Sequence, residues 1–402
     1  MNYPFNDLLG DFPLITDGKI IYLDSATKTL FPPKILEAIR NFYIECGLSP
    51  RRGAHKLSIY ADTELEKSRT VVARLVNAER ENIVFTPNLP VSAATLISGY
   101  PWKKGDKILI SNMEHNSILA PTLYAKRNFG LELSVVNMDE EFKFDINDLE
   151  KKIDDSCKLL LLTFSPMILG VHNPLREAAE IAHEHGCDVI SDFSRGIVHS
   201  DLNFNNINCD ALLFSSCIGI TGMEGASAIC AKKDFLEKIE PSILGGGSIK
   251  EASYEEYKVS ALPDRLEPGL VNMASIIGLR EAVNYLQNIG LDRIRAYNRD
   301  LTQMCVDGLK ETGKVRLYGP LNKERESPMI SFNIEGFNCH DTALFLDEAG
   351  KIIARSGMQC TYPLATQLDK KGLVQVSFHF YNTPEQISIF LDTVNLIISE
   401  LS

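Results

Sequence analysis

The sequence predicts an α/β protein: a large first domain built on a mostly parallel sheet, followed by a smaller α+β domain. Three observations lead there. Short β-like runs alternate with longer amphipathic stretches over most of the chain, the pattern of strands joined by crossover helices. One run, Leu159 to Thr163, reads LLLLT, as in strands buried on both faces. The alternation changes character near Asn284, so the expected division is residues 1–283 and 284–402. A chain of 402 residues is too long for one ordinary core, which fits two domains.

Element by element, Ile20 to Leu23 reads as a strand, and Pro33 to Cys46 as a helix with Pro32-Pro33 at its start. Ile83 to Phe85 is a strand, followed by a helix from about Val91. Lys107 to Ser111 is a strand. Leu175 to His185 is a helix with Gly186 as its terminator. Asp188 to Ser191 and Ala211 to Phe214 are strands. Ligands on such sheets sit beyond the carboxyl ends of the strands, where Asp192 and Ser215 fall. In the second domain, Leu291 to Leu309 reads as a long helix and Pro328 to Phe332 as a strand. A helix near Asp341 to Asp347, a strand from Gln375 to His379 and a final helix from Pro384 complete it.

Composition excludes several roles. The net charge of -12 gives nucleic-acid binding no support and opposes an anionic membrane. No apolar run is long enough to span a bilayer, and the first residues lack the pattern of a signal peptide. The nine cysteines are scattered, without a CxxC pair. Neither a disulfide framework nor a metal site is expected, and a reducing cytoplasm is the default location. Most of the cysteines read as buried fillers, and His183 and His185 as solvated residues at a helix end.

A set of motifs runs in order along the chain: Tyr22-Leu23-Asp24-Ser25-Ala26, Arg52-Gly53-Ala54-His55-Lys56-Leu57-Ser58, Met113-Glu114-His115, Leu169-Gly170 with Asn173-Pro174, Asp192, Gly245-Gly246-Gly247, Glu267-Pro268-Gly269, Arg355-Ser356-Gly357, Cys360, Pro363-Leu364 and Tyr381-Asn382-Thr383. Together they resemble the class V branch of the fold-type I pyridoxal-phosphate (PLP) enzymes. The nearest group is the cysteine desulfurases and selenocysteine lyases with a short active-site loop. The resemblance implies the fold-type I PLP-dependent transferase fold, with a seven-stranded, mostly parallel sheet in its large domain. It places Asp192 at the pyridine nitrogen, His115 over the ring and Ser215 among the cofactor contacts. Arg52 and Arg355 stand at active-site arginine positions and Cys360 at the persulfide position. His115 is the candidate acid/base. For Asp192 and His115 a purely structural role competes with the functional one; for Cys360 the alternative is an exposed but idle thiol.

Against this resemblance, Ser215-Ser216-Cys217-Ile218 puts Ile218 where the family has its Schiff-base lysine, and no lysine lies between Lys158 and Lys232. Cys217, Leu89 and Pro90 replace phosphate ligands. Leu270 replaces a threonine that reaches across from the partner subunit, and Met167 and Arg195 replace polar residues near the ring. Gln375 replaces the carboxylate-binding arginine. Hydrogen bonds to a charged group are worth about 1.5–3 kcal/mol each, so three lost phosphate ligands cost roughly 4–9 kcal/mol. The resulting expectation is no bound cofactor, and a pseudoenzyme or sulfur-relay partner on a homodimer scaffold, docking a true cysteine desulfurase or a sulfur acceptor. The alternatives are an enzyme of changed chemistry with Cys360 as nucleophile and, least favoured, a PLP-dependent cysteine desulfurase.

Overall fold

The apolar runs become the centre of a seven-stranded sheet. In the computed structural model, residues 3–51, 53–321 and 325–400 are described. Across the sheet the strands are Ile83–Thr86, Ser227–Ala231, Ala211–Ser215, Asp188–Asp192, Cys157–Leu161, Lys107–Ser111 and Glu132–Val136. The last five pair in parallel, while Ser227–Ala231 is antiparallel to both its neighbours. Every residue of Ile83–Thr86, Ala211–Ser215 and Ser227–Ala231 is buried. They need apolar residues on both faces because helices cover both.

The helix Leu175–Glu184 shows how sequence sets one cover. Leu175, Ala178, Ala179 and Ala182 are its buried residues, spaced three to four apart on one side. Lys56–Leu75 and Met273–Ile289 also pack against each other. Asn272 caps the latter by accepting from Ser275 N, which satisfies one amide of the first turn.

A second sheet has four antiparallel strands in the order Val315–Tyr318, Met329–Ile334, Leu373–Ser377, Arg355–Gly357. The helices Leu291–Glu311, Cys339–Gly350 and Pro384–Ser399 accompany it. The expected elements thus form, with ends shifted by a few residues. The helix expected from Val91 starts at Leu89, and the strand expected over Gln375–His379 covers Leu373–Ser377.

The N-terminal arm belongs to both parts. Ile21 and Tyr22 pair in parallel with Ile352 and Ile353. Ser377 N donates to Leu23 O at 2.8 Å, and Ala26 N to Ser377 Oγ at 2.8 Å. Thr29 N donates to Cys217 O at 2.9 Å. The arm therefore ties the second sheet to the loop after Ala211–Ser215.

A buried ion pair fixes the Glu267 segment to the rim of the large sheet. Arg69 Nη1 and Nη2 meet Glu267 Oε1 and Oε2 at 2.8 and 3.1 Å, and Arg51 Nη2 adds a contact at 2.8 Å. Glu267 Oε1 also accepts from Phe85 N at 2.7 Å. Burial pushes the Glu267 carboxyl up, but Arg69 and Arg51 more than cancel this and hold it below its ordinary value. Removing one partner strands a buried charge, so Glu267→Ala should lower stability by about 3–5 kcal/mol in denaturant unfolding. A loss under about 1 kcal/mol would show that Arg69 finds other acceptors.

Candidate active site

The parallel strands deliver their polar ends to one edge of the sheet. Asp192 ends its strand, Ser215 ends the next, and His115 follows Lys107–Ser111. The second sheet brings Arg355 and Cys360 to the same edge, and the contacts below close the site.

Asp192 is buried. Its Oδ1 accepts from Ser194 N at 2.9 Å, and its Oδ2 has no partner. Burial pushes its carboxyl up, with Arg195 and Ser194 opposing. Asp192 and Arg195 form no ion pair at hydrogen-bond distance and interact through their charges only. An unpaired buried carboxylate oxygen is costly.

His115 is half-buried and caps the helix Asn116–Phe129, with Nδ1 accepting from Ser117 N at 3.1 Å. Burial, helped by Arg195 and Arg355, pushes its pKa down to about 3. The ring is therefore neutral near pH 7, and with Nδ1 accepting, its proton sits on Nε2. Glu114, part of the Met113-Glu114-His115 motif but given no role by it, holds this turn. Its carboxylate is buried and accepts from Ser111 Oγ at 2.6 Å, Thr163 N at 2.9 Å and Thr163 Oγ1 at 2.5 Å. Burial pushes Glu114 up to about 7. A buried acid within a Met-Glu-His turn was the available signal.

Cys360 is half-buried rather than in an exposed loop. It and Gln359 have φ of 55° and 53°, the left-handed region that non-glycine residues avoid. Gln359 Nε2 donates to Leu373 O at 2.9 Å, and Asn116 N donates to Cys360 O at 2.8 Å. The second bond places the thiol next to the His115 turn. Arg355 Nη2 donates to Cys360 Sγ at 3.1 Å, and Nη1 to Thr27 Oγ1 at 2.8 Å. Arg52 lies outside the described residues.

Position 218 faces a different environment. Ile218 lines a cavity of about 10 Å³ with Ser25, Ala26, Arg195, His199 and Ser377 among others, room for about one water. Ser215 Oγ lies 3.4 Å from Cys217 Sγ, and desolvation pushes the Cys217 thiol up. At the helix Leu89–Gly99, Asn88 caps its own first turn by accepting from Val91 N at 3.1 Å. Gln375 is buried and gives its Nε2 to Met167 O and to Ser331 Oγ. His183 is not simply solvated, since its Nε2 is 2.8 Å from Asp210 Oδ2.

Comparison with known proteins decides the family. The model of the class-V aminotransferases matches residues 21–390. The chain belongs to that family. A probable cysteine desulfurase of Pyrococcus abyssi is 33% identical over 397 residues, 98% of each chain. The apo structure of the cysteine desulfurase of Thermococcus onnurineus NA1 superposes with a TM-score of 0.92 at 33% identity, over 100% of this chain and 99% of that one. A lysine-to-alanine mutant of C-DES, with glycine covalently linked to its PLP cofactor, shares the fold at a TM-score of 0.84 and 19% identity, over 96% and 98% of the chains. The fold-type I architecture is that of these structures.

Two expectations are overturned. A pseudoenzyme or relay partner is not what the relatives point to, because those matching along the whole chain are cysteine desulfurases. The absence of a cofactor does not follow from Ile218 either. The relatives that match at 33% identity along the whole chain are cysteine desulfurases, the group whose resemblance implies PLP. For PLP the fit is divided. The ring end fits, because Asp192 Oδ2 is an orphaned buried acceptor and His115 offers a neutral ring face. The covalent position does not fit, because residue 218 is isoleucine.

Neutral His115 has a direct test. Its ring proton shifts in a two-dimensional NMR titration should stay flat from pH 5 to 8, because protonation falls near pH 3. A midpoint near 6.5 would show that the ring is solvated.

Proposed function

We propose that the chain transfers sulfur from cysteine, the reaction its relatives are named for, with PLP held without a lysine bond. The observation that carries this is Cys360 Sγ, fixed 3.1 Å from Arg355 Nη2 and tied by backbone to the His115 turn, in a chain that matches cysteine desulfurases end to end. Asp192, His115 and Ser215 are the cofactor contacts in this reading, and Arg355 and Arg52 the substrate-binding arginines. When bound, PLP supplies an electron sink for the carbon next to the substrate's amino group.

The rest is done by the chain's own groups. Cys360 attacks the substrate sulfur, so an S–S bond forms while the substrate's C–S bond breaks. The carbon takes a proton, and the products are alanine and a persulfide on Cys360. The two sulfurs are oxidised as the carbon is reduced, so the balance needs no outside oxidant. His115 Nε2 carries a proton on the turn that is bonded to Cys360, and Arg355 keeps Sγ in place.

The experiment adds PLP to the purified protein and follows its absorbance, then measures alanine and sulfide from cysteine with a reductant present. PLP should bind, Asp192→Ala should weaken it at least 10-fold, and Cys360→Ala should cut sulfide release at least 100-fold. No PLP binding together with no alanine would overturn the proposal.

We also propose a twofold dimer of cytoplasmic location, with the chain divided at 283/284. The two sheets lie on either side of that division. For the dimer, Leu270 and Ile243 are 70% and 55% exposed and rim an apolar cavity of about 310 Å³, a surface suited to burial. Among the described residues no helix is long and apolar enough to cross a membrane. Sedimentation at micromolar concentration should show a dimer that Leu270→Asp dissociates; a monomeric wild type would remove the proposal.

A further inference from the structure

Arg195 is 5% exposed and its Nε has no hydrogen-bond partner. Its guanidinium makes no hydrogen bond or ion pair with any described residue. A guanidinium carries five donors in a planar fork, and leaving them unpaired inside a protein is expensive. Arg195 nevertheless sits among charged groups. Asp192, Arg355, Cys360 and Asp24 all act on it through their charges. Burial pushes it down to about 10, so it is still charged at neutral pH.

Among the described residues, the terminal nitrogens of Arg355 and Gln375 are already engaged. Arg355 spends Nη1 on Thr27 and Nη2 on Cys360. Gln375 spends Nε2 on Met167 and Ser331. Asp192 uses Oδ1 on Ser194 N and leaves Arg195 unpaired. Arg195 is thus a charged fork with a buried, unpartnered Nε, within reach of the charge of the Cys360 thiol that Arg355 holds.

We propose that Arg195 joins Arg355 and Arg52 as a third substrate-binding arginine, gripping the α-carboxylate of the sulfur-bearing amino acid while its sulfur faces Cys360. This rests on the sulfur-transfer reading above and names the group that selects its substrate. The fork matches a carboxylate in two parallel hydrogen bonds. It also explains how a site with Gln375, a neutral residue whose Nε2 is given to Met167 and Ser331, recognises an amino acid. The arginine needed for that is supplied from the turn after Asp188–Asp192 instead of from the strand Leu373–Ser377.

Calorimetric binding on the full chain, in reducing buffer, separates the possibilities. L-Cysteine is compared with cysteamine, which has the thiol and amine but no carboxylate. For Arg195→Gln the Kd of L-cysteine should rise about 10- to 100-fold, the span of a charge-assisted bond, with cysteamine within about 2-fold. Arg195→Lys should recover part of the loss. The thermal midpoint of the ligand-free Arg195→Gln protein should rise, because an unpaired buried charge has gone. A fall in that midpoint would make Arg195 structural and overturn the proposal. Equal weakening of cysteamine, or weaker binding of PLP added alone, would assign the guanidinium to another group and also overturn it. Retained L-cysteine selectivity in Arg195→Gln would do the same. These readings need no turnover. Failed sulfide release with intact Arg195-dependent binding would therefore sink the reaction and leave the carboxylate site standing.

Discussion

The site exists because the N-terminal arm is sewn between two sheets. Its stitches are few and mostly backbone: Ser377 N to Leu23 O, Ala26 N to Ser377 Oγ, Thr29 N to Cys217 O. Tyr381 adds a buried hydroxyl contact to Ser25 at 2.8 Å, and Asn382 Nδ2 reaches Tyr22 O at 2.8 Å. His379 Nε2 closes the ring from the other side on Gly219 O at 2.9 Å. These bonds join the arm, the Cys217–Gly219 loop and the last strand into one body. Arg355 meets Thr27, and Cys360 meets the His115 turn, only because that body is rigid. Each such bond is worth about 1 kcal/mol net, but leaving its buried partner unpaired costs more.

Within this frame the site is poor in internal compensation. Asp24 Oδ1, Asp192 Oδ2 and Arg195 Nε are buried without partners. Away from this edge, the buried Glu267 carboxylate is fully paired with Arg69 and Arg51. Unpaired buried charge gathered at one edge of the sheet suits that edge to something polar. The depressed His115 and raised Glu114 follow from the same dryness rather than from a specific titrating partner, since burial is the first cause in both.

Much of this was legible in the chain. Asp192 and Ser215 could be placed because each follows a short apolar run, and parallel strands end at ligand sites. The link between Arg355 and Cys360 was readable from their five-residue spacing. What the sequence hid were relations between distant segments. Ser227–Ala231 reads SAICA, too short and mixed to betray an antiparallel strand in a parallel sheet. Glu132–Val136 is an edge strand with only Val136 buried, so its pattern is faint. Arg195 looked like a loss because it replaced a neutral residue, and only its burial without a partner shows it as a gain. Ile218 invited the reverse error: with Cys217, Leu89, Pro90, Leu270 and Gln375 it pointed to a lost cofactor, while the chain matches cysteine desulfurases along its whole length.

The turn that carries Cys360 has a consequence for traffic. Only Met358 to Thr361 separate the strand Arg355–Gly357 from the helix that begins at Tyr362. Four residues span at most about 14 Å even when fully extended, and here two are coiled left-handed with the carbonyl of Cys360 held by Asn116. The thiol is on a short tether. It cannot carry cargo out to a distant receiver, so delivery is an errand for the visitor: whatever collects from Cys360 has to put its own reactive atom inside the doorway.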